Sequence, residues 1–122
     1  MNDITNNKTI IKRLKLKATS YNNQDKKKGR LVYNNKYDSY NKPPLAHTDI
    51  FELIEEQGLD CYYCLDRTNI IPKKKYDPNQ TTLDRIDNND THHKKNLKVC
   101  CYQCNEVRSN DFTSEVFKIK RS

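Results

Sequence analysis

Two Cys-x-x-Cys pairs, Cys61-Tyr62-Tyr63-Cys64 and Cys101-Tyr102-Gln103-Cys104, constrain this chain more than any other feature. Paired cysteines at this spacing read as a tetrahedral Cys₄ site for structural Zn²⁺, each pair bending the backbone so that both thiolates reach one ion. One ion then ties together the ends of the stretch 61–105 and holds the Asp-rich segment between them as a closed hairpin. The need for such a staple is visible in the composition: 122 residues, 34% hydrophobic and without Trp, offer little apolar material for a core. A structural Zn²⁺ contributes on the order of 10 kcal/mol to folding.

Disulfides are the alternative use of five cysteines. The chain opens Met1-Asn2-Asp3 and continues polar and basic, without a signal-peptide pattern or a membrane-spanning run. The expected setting is therefore a reducing intracellular compartment (cytoplasm, nucleus or virion), where paired cysteines favour metal. Cys100 is the odd one, read as a small buried side chain or an alternative ligand.

The net charge of +7 is unevenly placed. Residues 1–45 hold 11 of the 23 Lys and Arg but only 3 of the 16 Asp and Glu, a net of +8 against −1 for residues 46–122. The chain thus divides into a basic N-terminal arm, 1–45, and a zinc-stapled domain, 46–122, with Pro43-Pro44 at the boundary. A basic arm suits a polyanion, with nucleic acid, and DNA first, as the expected partner and a solvated tail as the alternative. Lys26, Lys27, Lys28 and Arg30, on a short basic helix ended by Gly29, and Lys73, Lys74 and Lys75, in a loop over 65–80, are the candidate phosphate contacts. Upstream, 9–18 carries both a helical apolar set (Ile10, Ile11, Leu14) and an alternating one (Leu14, Leu16, Ala18), and is read as a short helix. Tyr33, Tyr37 and Tyr40 could stack on bases or pack on a core.

A helix over 50–57, capped by Thr48 or Asp49 with Glu52 completing a capping box, stops at Gly58. Strands over 81–86 and 96–99 flank the turn residues Asp87-Asn88-Asn89-Asp90. A helix over 102–108 and a last short helix capped by Thr113 or Ser114, with Val116 and Phe117 as its apolar contacts, precede a free basic tail at 118–122. The class is α+β. Hairpin followed by helix brings Asp84, Asn96 and Asn105 together, and a carboxylate with a carboxamide suits a hard cation such as Mg²⁺ or Mn²⁺ that bridges to a phosphate oxygen.

Cys61-x-x-Cys64, then Leu83-Asp84-Arg85-Ile86-Asp87-Asn88, then Asn96-Leu97, then Cys101-x-x-Cys104-Asn105 together resemble the HNH endonuclease family, which has the ββα-metal nuclease fold. The likeness covers about residues 59–111 and is closest to a zinc-containing branch found in phages, mobile elements and large DNA viruses. It implies a small ββα-metal hairpin–helix core with a Cys₄ structural zinc and a basic N-terminal extension, hydrolysing DNA phosphodiester bonds by a one-metal mechanism. Asp84 and Asn105 would hold the catalytic Mg²⁺ or Mn²⁺, Asn96 would fix the hairpin, and Cys61, Cys64, Cys101 and Cys104 would hold zinc. Where the family has its general-base His, this chain has Arg85, whose guanidinium stays protonated and can only clamp phosphate or stabilise charge. The base would then be His92, His93 or Asp87. Loss of catalysis with retention of nucleic-acid binding, within a ribonucleoprotein or virion assembly, is the alternative function. A homodimer would serve double-strand cleavage.

Overall fold

The computed structural model describes residues 7–28, 44–108 and 113–121. Among them are four α-helices and one two-stranded antiparallel sheet, an α+β architecture. Helix α1 is Lys8–Lys27, α2 is His47–Gln57, β1 is Thr81–Arg85, β2 is Leu97–Cys101, α3 is Tyr102–Arg108 and α4 is Ser114–Arg121. Gly29, Arg30, Tyr33, Tyr37 and Tyr40 lie outside the described residues.

Helix α1 replaces the two short helices expected over its range. No Gly or Pro interrupts 8–28, and Ile10, Leu14, Ala18 and Tyr21 continue one face at helical spacing. The competing strand pattern fails at Leu16, which is 61% exposed while Leu14 and Ala18 are buried. The Asn7 side chain caps the N-terminus by accepting from Ile10 N–H at 3.1 Å. The segment read as an arm thus contributes to the core. Leu14 and Ala18 pack with Leu45, Ile50, Leu53, Ile54, Leu83, Leu97 and Val99, each large aliphatic side chain contributing about 1.5–3 kcal/mol by burial. Asn22 pins α1 to the segment that leads into the next helix: its amide donates to Leu45 O and accepts from Leu45 N–H, both at 2.9 Å.

Helix α2 starts earlier than expected. Ala46 is the N-cap, and Asp49, in the third helical position, reaches back to accept from Ala46 N–H at 2.9 Å. Glu52 completes no capping box; its carboxylate accepts from Lys94 Nζ at 3.1 Å. Gly58 ends the helix at φ +88°, a conformation that excludes most side chains. The Gln57 amide then acts as a short strand partner for β2, bonding both Val99 N–H and Val99 O at 2.9 Å.

In the sheet Thr81 pairs with Cys101, Leu83 with Val99 and Arg85 with Leu97. The second strand begins one residue later than expected. Asn96 ends a 3₁₀ turn, Lys94–Asn96, because its side chain is committed to the preceding turn. A second core cluster joins Cys61, Tyr63, Cys100, Cys101, Cys104 and Phe117. In α4, Thr113 is the cap, its Oγ1 accepting from Val116 N–H at 3.3 Å; Phe117 is buried, but Val116 is 44% exposed. Nor is the tail free at Lys118, whose ammonium donates to Tyr62 O and lies 4.2 Å from the Tyr62 ring centroid. Among the described residues, no helix is long and apolar enough to cross a membrane.

Candidate metal centre and hairpin cavity

The four paired cysteines converge. The Sγ atoms of Cys61, Cys64, Cys101 and Cys104 all lie within 4.8 Å of one another, and Cys64 Sγ is 3.9 Å from Cys101 Sγ. Tetrahedral Zn–S bonds of about 2.3 Å place sulfurs about 3.8 Å apart, so the set fits a metal ion such as zinc. Backbone amides are aimed at the sulfurs: Tyr63 N–H and Cys64 N–H at Cys61 Sγ (3.4 and 3.5 Å), and Cys104 N–H at Cys101 Sγ (3.4 Å). Such donors favour thiolate. The hydrogen bond from the Cys101 thiol, above all, pulls Cys61 down to about 4, and the same contact, with burial, pushes Cys101 up. The second pair straddles an element boundary, Cys101 closing β2 and Cys104 lying in α3, while Cys61 and Cys64 sit on a turn after α2. Cys100 points away from this set: it is buried, 3.2 Å from the Thr82 hydroxyl, and desolvation pushes its thiol well up.

Beside the staple, a cavity of about 210 Å³ is lined by Asp84, Arg85, Asn88, His92 and Asn105, with Tyr21 and Gln24 from α1. Register puts Asp84 on the strand and the Cys104 turn puts Asn105 on the first turn of α3, so the hairpin and helix share the cavity wall. Asn105 Nδ2 donates to Thr82 Oγ1 at 3.2 Å. Its Oδ1 has no further partner among the described residues.

Asp84 is more engaged than a solvated ligand would be. It is 5% exposed; Arg108 Nη1 donates to its two oxygens at 2.5 and 2.6 Å, and the Tyr63 hydroxyl donates to Oδ2. Burial pushes the carboxyl up, against the Tyr63 and Arg108 hydrogen bonds that pull it down. Burial and the Asp84 bond in turn push the Tyr63 phenol up. Arg108, 1% exposed, also donates to Arg85 O and Asn88 Oδ1, both at 2.9 Å, and its Nε is a buried donor without a hydrogen-bond partner among the described residues.

Arg85 lines the cavity, but its Nη1 donates to Asn88 O and, at 3.2 Å, to Asp90 O. Asn96, buried, accepts from Asp87 N–H at 2.9 Å and donates to Asp87 O and Thr91 O at 3.1 and 3.0 Å. These three bonds tie the turn to the base of β2. The two histidines part company. His93 is 3.0 Å from Asp90 Oδ2 and is not among the cavity's lining residues. His92 lines the cavity, with Nδ1 2.9 Å from Asp25 Oδ1, its backbone N–H 2.9 Å from Asp25 Oδ2, and its ring stacked on Tyr21 at 4.5 Å. Tyr21 is itself fixed by accepting from Leu83 N–H at 3.1 Å, and burial pushes its phenol up to about 12. Asp87 accepts from Asn89 N–H at 2.9 Å, as a turn residue does. Lys26, Lys27 and Lys28 are exposed at the end of α1, and Lys73, Lys74 and Lys75 are exposed on the 65–80 loop, none of them lining the cavity.

Sequence reasoning missed Asp25, Tyr21, Tyr63 and Arg108. Asp25 was recoverable: it is the lone acid in α1 and continues the apolar face of Leu14, Ala18 and Tyr21 at helical spacing. Arg108 lies one turn past Cys104, and nothing local marks it as buried.

Fold and site define a small α+β protein with a four-cysteine cluster able to bind a metal ion such as zinc, next to a polar cavity on a hairpin. Comparison with protein-family models, with curated proteins and with solved structures found no match.

Proposed function

We propose that the chain is a zinc-stapled endonuclease of the HNH type, hydrolysing DNA phosphodiester bonds with one catalytic divalent cation. The observation that carries this reading is the single cavity shared by Asp84, Arg85, His92 and Asn105, which come from a strand, a turn and a helix.

The donor set fits a hard cation. A carboxylate has about four acceptor sites, and Asp84 uses three on Arg108 and Tyr63, leaving one on a residue that lines the same cavity as Asn105. Two protein oxygens with waters completing the shell suit Mg²⁺ or Mn²⁺. An ion held there supplies charge stabilisation for the scissile phosphate and the leaving oxygen. His92 is the general base on this reading. With Nδ1 donating to Asp25, the proton-accepting nitrogen of the neutral ring is Nε2, which takes the proton of the attacking water. The Asp25 carboxylate holds that tautomer and stabilises the imidazolium, and the Tyr21 stack limits ring rotation. Arg85 keeps its charge at every relevant pH and offers it at the cavity wall to a phosphate oxygen. His93 and Asp87 serve the turn.

The second reading is a nucleic-acid-binding module without catalysis. The Arg108 guanidinium on Asp84 favours it, since a buried cation already neutralises that carboxylate. Supercoiled plasmid incubated with the zinc-loaded chain separates the two. The nuclease reading expects nicked or linear product with Mg²⁺ or Mn²⁺ and none with EDTA. Plasmid left intact under every divalent cation, with DNA still bound, would establish the second reading.

A further inference from the structure

Helix α1 carries Lys8, Lys12, Arg13, Lys15, Lys17, Lys26 and Lys27 against one acid, Asp25, which is buried on His92. At 100° per residue, Lys8, Lys12, Lys15 and Lys26 share one face, with Thr19 between them, about 100° around the helix from the buried Leu14 and Ala18. All four ammoniums are exposed. None has an ion-pair partner among the described residues. Lys8 with Lys12 and Lys12 with Lys15 are like-charge neighbours at the two spacings where helix side chains meet, so the helix repels itself along this face. The first turn adds to the imbalance, holding no acid to complement the helix dipole. Each like-charge pair costs about 0.2–0.5 kcal/mol, a cost that counter-charge near the face relieves.

A shallow groove runs along the same helix. Its first part is lined by Lys8, Lys12, Lys15, Leu16 and Thr19, and its continuation by Thr19, Asn23, Gln24 and Lys27. Gln24 also lines the Asp84–Asn105 cavity. The groove therefore leads, at its Gln24 end, to the rim of the proposed active site.

We infer that the lysine face of α1 is the docking track for the phosphate backbone of duplex DNA, delivering one strand past Gln24 to the cavity. This rests on the nucleic-acid reading above. Three ammoniums span about 10 Å of helix axis between Lys8 and Lys15, against one phosphate per about 3.4 Å of each DNA strand. The contacts are made to phosphate, and so position the duplex without reading its sequence.

The test is fluorescence anisotropy of a labelled 30-base-pair duplex with the full zinc-loaded chain, titrated in salt without divalent cations. The variant is Lys8→Gln/Lys12→Gln/Lys15→Gln. A second variant, Lys73→Gln/Lys74→Gln/Lys75→Gln, removes equal charge from the 65–80 loop. Losing three phosphate contacts lowers the slope of log K against log salt by about 2.7 and the affinity at 0.1 M salt by about 10²-fold. The loop variant is expected to lose clearly less of both. Circular dichroism of both variants should match wild type, because all six side chains are exposed. Unchanged slope in the α1 variant overturns the inference, as does an equal loss in the loop variant. Wild type that binds phosphatidylserine vesicles but not DNA also overturns it. Plasmid cleavage by wild type, run in parallel, keeps the two proposals apart. Cleavage with an unchanged α1 slope removes the track and leaves the nuclease, whereas the expected slope change without cleavage removes the nuclease and leaves the track.

Discussion

Replacing Arg108 by Met should destabilise the protein by about 3–5 kcal/mol, the usual cost of stripping one partner from a buried ion pair. The geometry supports the upper part of that range. Arg108 is 1% exposed and Asp84 5%, so the orphaned carboxylate has little access to water. The same guanidinium also holds Arg85 O and Asn88 Oδ1, and each lost hydrogen bond adds about 1 kcal/mol. Against a typical domain stability of 5–15 kcal/mol, the variant keeps a small margin. The double variant Asp84→Asn/Arg108→Met removes the charge and leaves the Tyr63 hydroxyl with an acceptor, so most of the loss should return, with a residual cost of about 1–2 kcal/mol. Urea unfolding of wild type, both single variants and the double variant, at fixed free zinc, gives the full cycle. A loss below 1 kcal/mol in Arg108→Met, or a double variant no better than the single, would refute the view that the pair is buried and mutually dependent.

Three further outcomes follow from particular residues. Chelation of the metal, or Cys104→Ser, should unfold the domain, since a site worth on the order of 10 kcal/mol exceeds what a core this small supplies; retained helical circular dichroism after chelation would speak against a structural metal. Leu65 sits at φ +71° and is 68% exposed, so Leu65→Gly relieves left-handed strain at little burial cost and should raise stability by about 0.5–1 kcal/mol, read as a rise in Tm of a few degrees. Lys17, pulled down to about 8 by burial first and Arg13 second, costs stability while it is charged. That cost is fully present below about 8 and is relieved as pH rises toward the unfolded value of 10.5, so stability should climb through that window. Lys17→Met should remove the climb and add about 1–2 kcal/mol at pH 7, after allowance for solvent screening of a half-buried side chain.

The Cys₄ cluster was legible because two Cys-x-x-Cys pairs admit few arrangements, and the hairpin because turn residues separate two short β-branched or apolar runs. Helix α1 was only half legible. Leu14, Leu16 and Ala18 fit a strand as well as a helix, and the choice lies with tertiary burial, which takes Leu14 and leaves Leu16 outside. The start of α2 was misplaced because Asp49 can serve a helix from two positions, as its cap or as the third residue reaching back. Asp25 hid inside a run of lysines, where an acid reads as surface charge. The Asp84–Arg108 pair joins β1 to the end of α3, and neither residue's neighbours in sequence carry any sign of the other.

The most direct measurement of the central claim is the single-turnover cleavage rate of Asn105→Ala. Asn105 suits the purpose better than Asp84, because its side chain makes one hydrogen bond, to Thr82, and its loss leaves no buried charge unpaired. A hydrolytic site built on Asp84 and Asn105 predicts that the zinc-loaded wild type nicks plasmid in Mg²⁺ or Mn²⁺. It also predicts that Asn105→Ala melts within a few degrees of wild type and cleaves at least 10²-fold more slowly. Cleavage by Asn105→Ala at the wild-type rate would contradict the account.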